Sequence, residues 1–237
     1  MIKLAISGCR GRMGQAITKM AKEDSDFKIT TLLEHKNHPQ ANQPGVSIDN
    51  SSLKGCDALI EFTLPEGTME NLAACVKYKV PMVIGTTGFN VDQIKEIHKA
   101  AEEIPIVFAS NMSVGVNVLF KLIEMASKNL HSITDISIGE THHIHKKDAP
   151  SGTAKTMKEV ADACGDFPTR FDEDKIKREG EVVGYHEITF ETEYDTLTIT
   201  HNAKDRSMFA KGALIAAKFL CDKDSGLFNM KDVLGLN

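Results

Sequence analysis

Three histidines and two lysines crowd between Thr141 and Asp148, and the stretch ETHHIHKKDAPSGTA runs on through Asp-Ala-Pro-Ser-Gly-Thr. Imidazoles move protons near neutral pH, and ammonium groups hold carboxylates as point charges. Two chemistries compete for such a cluster: a metal centre and an anionic substrate that needs a proton. No cysteine lies near enough to complete a zinc site, and Lys146 and Lys147 repel a divalent ion, so no metal is expected. Ser151 is predicted to cap a helix, with the amides of Gly152 and Thr153 open to an anion. If the strand through Ile136 and Ile138 continues, its period of two puts Glu140, His142, Ile144 and Lys146 on one side. Thr141, His143, His145 and Lys147 fall on the other.

A second constellation opens the chain. GCRGRMG, from Gly8 to Gly14, has the spacing Gly-x-x-Gly-x-x-Gly after a short apolar run. Small residues let backbone amides approach a pyrophosphate at a helix N-terminus. Gly8, Cys9, Arg10, Gly11, Arg12 and Met13 are therefore candidate cofactor residues. Glu34 lies 20 residues beyond Gly14, where an acid accepts hydrogen bonds from an adenosine ribose. Its neighbours His35 and Lys36 could instead meet a 2′-phosphate, so NADH and NADPH both stay open.

The elements that must position these groups change character along the chain. IKLAIS, FKITTLLE, DALIEFT, PMVIGTTG and IPIVFASN read as strands separated by helical segments, which predicts a parallel sheet with helices on its faces. Ligands of such sheets bind beyond the carboxyl ends of the strands, here Gly8, Gly85–Gly88 and Ser110–Asn111. VGVNVLFKLIEMASKNL is a helix, and ITDISIGETHH, then two runs between Glu181 and Ala203 split by a turn near Tyr194–Asp195, alternate like half-buried strands. FAKGALIAAKFL returns to helix. FDEDKIKREGE is read as a charged loop without an assigned role.

Composition bounds the function. With 237 residues, a net charge of −5 and a pI near 6.0, neither a basic nucleic-acid surface nor a membrane span is expected. The five scattered cysteines show no CxxC pair, which suggests reduced thiols in the cytoplasm.

GCRGRMG, EFTLPEGT, GTTGF, SNMSVGVN and ETHHIHKKDAPSGTA together resemble the 4-hydroxy-tetrahydrodipicolinate reductase (dihydrodipicolinate reductase) family of lysine and diaminopimelate biosynthesis. The resemblance extends to the C-terminal FAKGA and SGLFNMKDVLGL. It implies an α/β protein: a Rossmann-like nucleotide-binding domain over 1–113 and 210–237, and an α+β substrate and oligomerisation domain with an open mixed sheet over 114–209. It implies a homotetramer, NADH or NADPH as cofactor, and a cyclic dicarboxylate as substrate. Hydride enters the ring carbon that carried a hydroxyl, and a neighbouring carbon is protonated. By resemblance His142 is the proton donor, Lys146 its partner, and His143, Ser151, Gly152 and Thr153 hold substrate. Glu34, Gly85, Thr86, Thr87, Ser110, Asn111 and Met112 line the cofactor. Many members have arginine where this chain has His35, and phenylalanine where Met112 stands. On residues alone, another nicotinamide-dependent dehydrogenase of an amino-acid intermediate and a non-catalytic NAD sensor remain as alternatives.

Overall fold

The computed structural model describes residues 1–236. In chain order the elements are β1 (Ile2–Ser7), α1 (Arg12–Glu23), β2 (Phe27–Leu33), a 3₁₀ turn at Asn50–Leu53, β3 (Ala58–Glu61), α2 (Pro65–Tyr78), β4 (Met82–Ile84), α3 (Val91–Ala100) and β5 (Pro105–Phe108). There follow α4 (Val114–Asn129), β6 (Ile133–His142), α5 (Gly152–Asp162), β7 (Thr169–Arg178), β8 (Gly184–Thr192), β9 (Thr196–Ala203), α6 (Ser207–Leu220), β10 (Gly226–Phe228) and α7 (Met230–Leu234). The chain divides into two compact units, Met1–Val114 with the stretch from Ser207 onward, and Gly115–Arg206.

The first unit is built on a six-stranded sheet in the order β10-β5-β4-β3-β1-β2, parallel throughout. Its two central strands, β3 and β4, read ALIE and MVI and are buried at every position, as befits strands covered on both faces. The order reverses between β1 and β3, which is where open parallel sheets place a nucleotide. Helix ends follow their local chemistry. Pro65 occupies the first turn of α2, and Asn90 and Gln93 close a capping box on α3. Helix α6 crosses Met112 so closely that a Cβ on Gly212 would lie 1.7 Å from the Met112 carbonyl oxygen. Only glycine fits there.

The second unit carries a mixed sheet, β7-β6-β8-β9, with β6 and β7 parallel and the other pairs antiparallel. Its core gathers Val116, Leu119, Phe120 and Ile123 of α4, Ile136 and Ile138 of β6, Met157 of α5, and Ile188 and Phe190 of β8. Two expectations are corrected here. The charged stretch read as a loop is edge strand β7, whose Lys175 pairs with Glu187 at 2.7 Å and whose Arg170 pairs with Asp135 at 2.9 Å. A charged edge strand bonded on one side needs few apolar residues and so hides in composition. The alternation expected to reach Lys146 stops at His142, because β7 ends at Arg178 and Gly180 turns away with φ +49. Ile144 is consequently 60% exposed.

Candidate active site

In the first unit the glycine turn builds an open helix start. Gly8 has φ +67, and a Cβ on Gly14 would stand 2.1 Å from the Gly8 carbonyl oxygen and 2.6 Å from Cys9 Cα. Those two glycines let helix α1 sit against the end of β1. Gly11 caps α1 without a side-chain acceptor, and no acid occupies the first turn, so no side chain of the helix offsets the positive end of its dipole. Glu34 is 7% exposed, and its carboxylate accepts the Arg10 amide at 2.9 Å and the His35 amide at 3.0 Å. Its remaining lone pairs border two adjoining cavities of about 490 and 500 Å³. The first is lined by Gly8, Gly11, His35 and Phe62 among others, the second by Lys36 and Asn71. An amide-rich helix start beside a fixed carboxylate suits a pyrophosphate joined to a ribose, so these residues fit a dinucleotide.

The other candidate cofactor residues lie at the ends of β1, β4 and β5. Gly85 packs under the Phe62 ring, where a Cβ would come within 2.2 Å of ring carbons. Thr86 is buried; its hydroxyl accepts the Thr63 amide and the Thr68 hydroxyl proton, both at 3.1 Å. Thr87 and Ser110 are exposed, and the Asn111 side-chain Oδ1 accepts the Ser113 amide at 2.9 Å. Arg12 is exposed and Arg10 half-buried. Cys9 and Met112 point into the hydrophobic core and Met13 packs against it. A contact from Cys9 or Met112 to a dinucleotide therefore runs through backbone.

In the second unit the sequence cluster separates. His142 is buried at 6% exposure, His143 is half-buried, and His145 is exposed with its ring 6.1 Å from that of His143. The buried partners come from elsewhere: Glu140, His186 of β8 and Arg178 of β7. The register makes them neighbours, pairing Glu140 with His186 and His142 with Arg178. Glu140 is fully buried and accepts the Ser151 amide at 3.1 Å and an Arg178 guanidinium N–H at 3.0 Å. His142 Nδ1 lies 3.6 Å and His186 Nε2 4.0 Å from Glu140 Oε2. The two rings meet edge to face at 5.0 Å. Gly184 leaves room for the other side of His142, since a Cβ there would come within 3.2 Å of Nε2.

Charge follows burial. Desolvation would raise the Glu140 carboxyl, but the hydrogen bonds from Ser151 and Arg178 outweigh it and hold the group below its ordinary range. Desolvation pushes His142 down while Glu140 opposes that effect. His186, more deeply enclosed and beside His142, is pushed down to about 4. Glu140, His142 and His186 offer ligand-type atoms within 4.8 Å of one another. Arg178 already neutralises the carboxylate, and Lys146 adds a second cation felt at His142, so this donor set suits proton handling better than a metal ion.

The helix start expected to hold an anion stands directly after this cluster. Ser151 caps α5, its hydroxyl accepting the Ala154 amide at 3.2 Å. Nothing lies within 4 Å of the space where a Gly152 Cβ would be, and α5 has no acid in its first turn. Thr153 is half-buried beside it. Lys146 is 23% exposed and paired with Asp148 at 2.8 Å. Sequence motifs single out none of Glu140, His186 and Arg178 as site residues. Glu140 stands on the expected face of its strand, but the other two become visible only with strand register.

Comparison with known proteins agrees over both units. Residues 2–112 match the model of the dihydrodipicolinate reductase N-terminus, and residues 115–234 match that of its C-terminus. The 4-hydroxy-tetrahydrodipicolinate reductase of Nitrosomonas eutropha is 42% identical over 100% of this chain and 99% of its own. That of Syntrophotalea carbinolica is 40% identical, with both chains fully covered. Among solved structures, dipicolinate-bound dihydrodipicolinate reductase from Paenisporosarcina sp. TG-14 superposes with a TM-score of 0.84 at 22% identity, covering 98% of this chain and 99% of that one. A probable dehydrogenase from Thermotoga maritima shares the fold at a TM-score of 0.63 and 10% identity, covering 99% and 93%. With both halves matched and relatives aligned from end to end, the chain belongs to the dihydrodipicolinate reductase family, the NAD(P)H-dependent oxidoreductases of lysine and diaminopimelate biosynthesis.

Proposed function

We propose that this chain reduces 4-hydroxy-tetrahydrodipicolinate to tetrahydrodipicolinate, with His142 as the acid. The first unit holds the dinucleotide on the start of α1 and on Glu34, and the second binds the dicarboxylate ring. When bound, the reduced nicotinamide supplies the hydride to the ring carbon from which water has left. Doubly protonated His142 gives its Nε2 proton to the adjacent carbon and is left neutral with the proton on Nδ1, while the electron pair of the ring's conjugated system forms the new C–H bond. Ser151, Gly152 and Thr153 take one carboxylate on their amides and hydroxyls. His143 and Lys146 take the other, the ammonium exchanging Asp148 for substrate. One observation carries the reading: Glu140 holds the Ser151 amide at 3.1 Å while lying 3.6 Å from His142, so acid and anion cradle share one anchor.

We place the working enzyme in the cytoplasm as a homotetramer joined through the mixed sheets. All five thiols are free, and no helix among the described residues is long and apolar enough to cross a membrane, both of which suit that setting. The test is loss of absorbance at 340 nm with freshly generated substrate, run with NADH and NADPH. His142→Gln is expected to lower kcat by about 10²–10⁴-fold, the range for a positioned general acid, with nucleotide affinity unchanged. Equal turnover in the variant would remove the acid assignment.

A further inference from the structure

We propose that Glu140, anchored by Arg178, is the positioning residue of the acid: its carboxylate receives His142 Nδ1–H, fixing the ring so that Nε2 delivers the proton. The inference rests on His142 acting as the acid of the proposed reaction. It goes beyond that reading by assigning work to a buried carboxylate and to an arginine from a segment that composition marks as surface.

Glu140 is fully buried, a costly place for a carboxylate unless several groups compensate it. Arg178 and the Ser151 amide compensate Oε1 at 3.0 and 3.1 Å. Oε2 accepts the same amide at 3.2 Å and faces His142 Nδ1 at 3.6 Å. That Nδ1 is sealed from solvent and has no hydrogen-bond partner. A buried polar atom of this kind is expected to be satisfied, and Glu140 Oε2 is the acceptor facing it. A contraction of under about 1 Å completes a charge-assisted bond. The opposite nitrogen, Nε2, lies against Gly184, where the missing side chain leaves it room.

The other charged and titratable groups around the pair fit the same arrangement. His186 on β8 lies 4.0 Å from Oε2 and 3.5 Å from the Ser151 hydroxyl. Burial lowers the proton affinity of His186, of His201 on β9 and of His142 alike, and His142 Nδ1, at 3.6 Å, is the nearer ring nitrogen to Oε2. Lys146 and Asp148 on the following loop neutralise each other at 2.8 Å. Arg178 also donates to the carbonyls of Lys146, at 3.3 Å, and Asp148. One guanidinium therefore ties the carboxylate to the loop that carries the second cation.

A clasp that merely stabilised the loop would leave the His142 proton where it was, which separates the two roles. Long-range ¹H–¹⁵N correlation of wild-type imidazoles is expected to show neutral His142 protonated at Nδ1. An Nε2–H tautomer would overturn the proposal without any variant. In Glu140→Gln, which keeps shape and removes charge, the His142 titration midpoint should move to lower pH and the pH profile of kcat should follow it. At pH 7.5, kcat should fall about 10- to 100-fold, a part of what acid catalysis supplies, with KM changed less than about 3-fold and NADH affinity unchanged. Glu140→Asp should recover the tautomer. An unchanged midpoint and profile in Glu140→Gln would sink the positioning role, whereas the acid assignment stands or falls separately with His142→Gln.

Discussion

His186 gives the pH dependence of folding a defined source. Burial and the neighbouring His142 lower its pKa from the ordinary 6.5 to about 4. The unfolded chain therefore binds a proton that the fold refuses, and stability falls as pH drops from about 6.5 to about 4. A gap of about 2.5 in pKa corresponds to about 3.4 kcal/mol in full, at about 1.36 kcal/mol per unit. Roughly 2 kcal/mol of it falls between pH 7 and pH 5, a substantial share of a typical domain's stability. His142 and His201 are lowered too and add in the same direction. The perturbation is His186→Gln, which cannot titrate. Urea unfolding followed by far-UV circular dichroism from pH 7.5 to 4.5 suits a chain with no tryptophan. The wild-type curve should lose about 2 kcal/mol more than the variant between pH 7 and pH 5, and the His186 ring proton should titrate near pH 4 by NMR. Parallel pH slopes for the two proteins would refute the reasoning, as would a His186 midpoint above pH 6.

Two glycines make further predictions. Gly14→Ala forces a Cβ to 2.1 Å from the Gly8 carbonyl oxygen; because backbone cannot yield, it should cost about 2 kcal/mol or more and abolish NADH binding in a fluorescence titration. Retained affinity would mean that the turn is not the pyrophosphate site. Gly184→Ala brings a methyl within 3.2 Å of His142 Nε2 and 3.4 Å of His186 Cε1. The rings can shift, so the fold should survive while kcat falls by roughly 10-fold or more through misplacement of the acid. A wild-type kcat would show that the proton does not leave from that nitrogen.

Several features were legible in residue order alone. The parallel sheet is local information, because βαβ units carry their own periodicity, turn glycines and caps; β1 spans Ile2–Ser7 as its apolar run predicts. Glu34 follows from its spacing to the glycine turn, and it does line the cavities there. The cap at Ser151 is likewise written in the DAPSGT turn. What residue order could not supply is anything that depends on which strand lies beside which. His186 and Arg178 lie 46 and 38 residues beyond Glu140, in segments that read as an ordinary alternating strand and a charged loop. Only the pairing of β6 with both β7 and β8 sets them against one buried carboxylate. The same pairing decides which of the three clustered histidines turns inward, since the strand's period ends where its partner ends. Local sequence thus determined the βαβ order of the first unit, the glycine turn before α1 and the cap on α5. Tertiary structure set the proton affinities of Glu140, His142 and His186, because desolvation and charge pairing exist only once strands distant in sequence have closed around the same few ångströms.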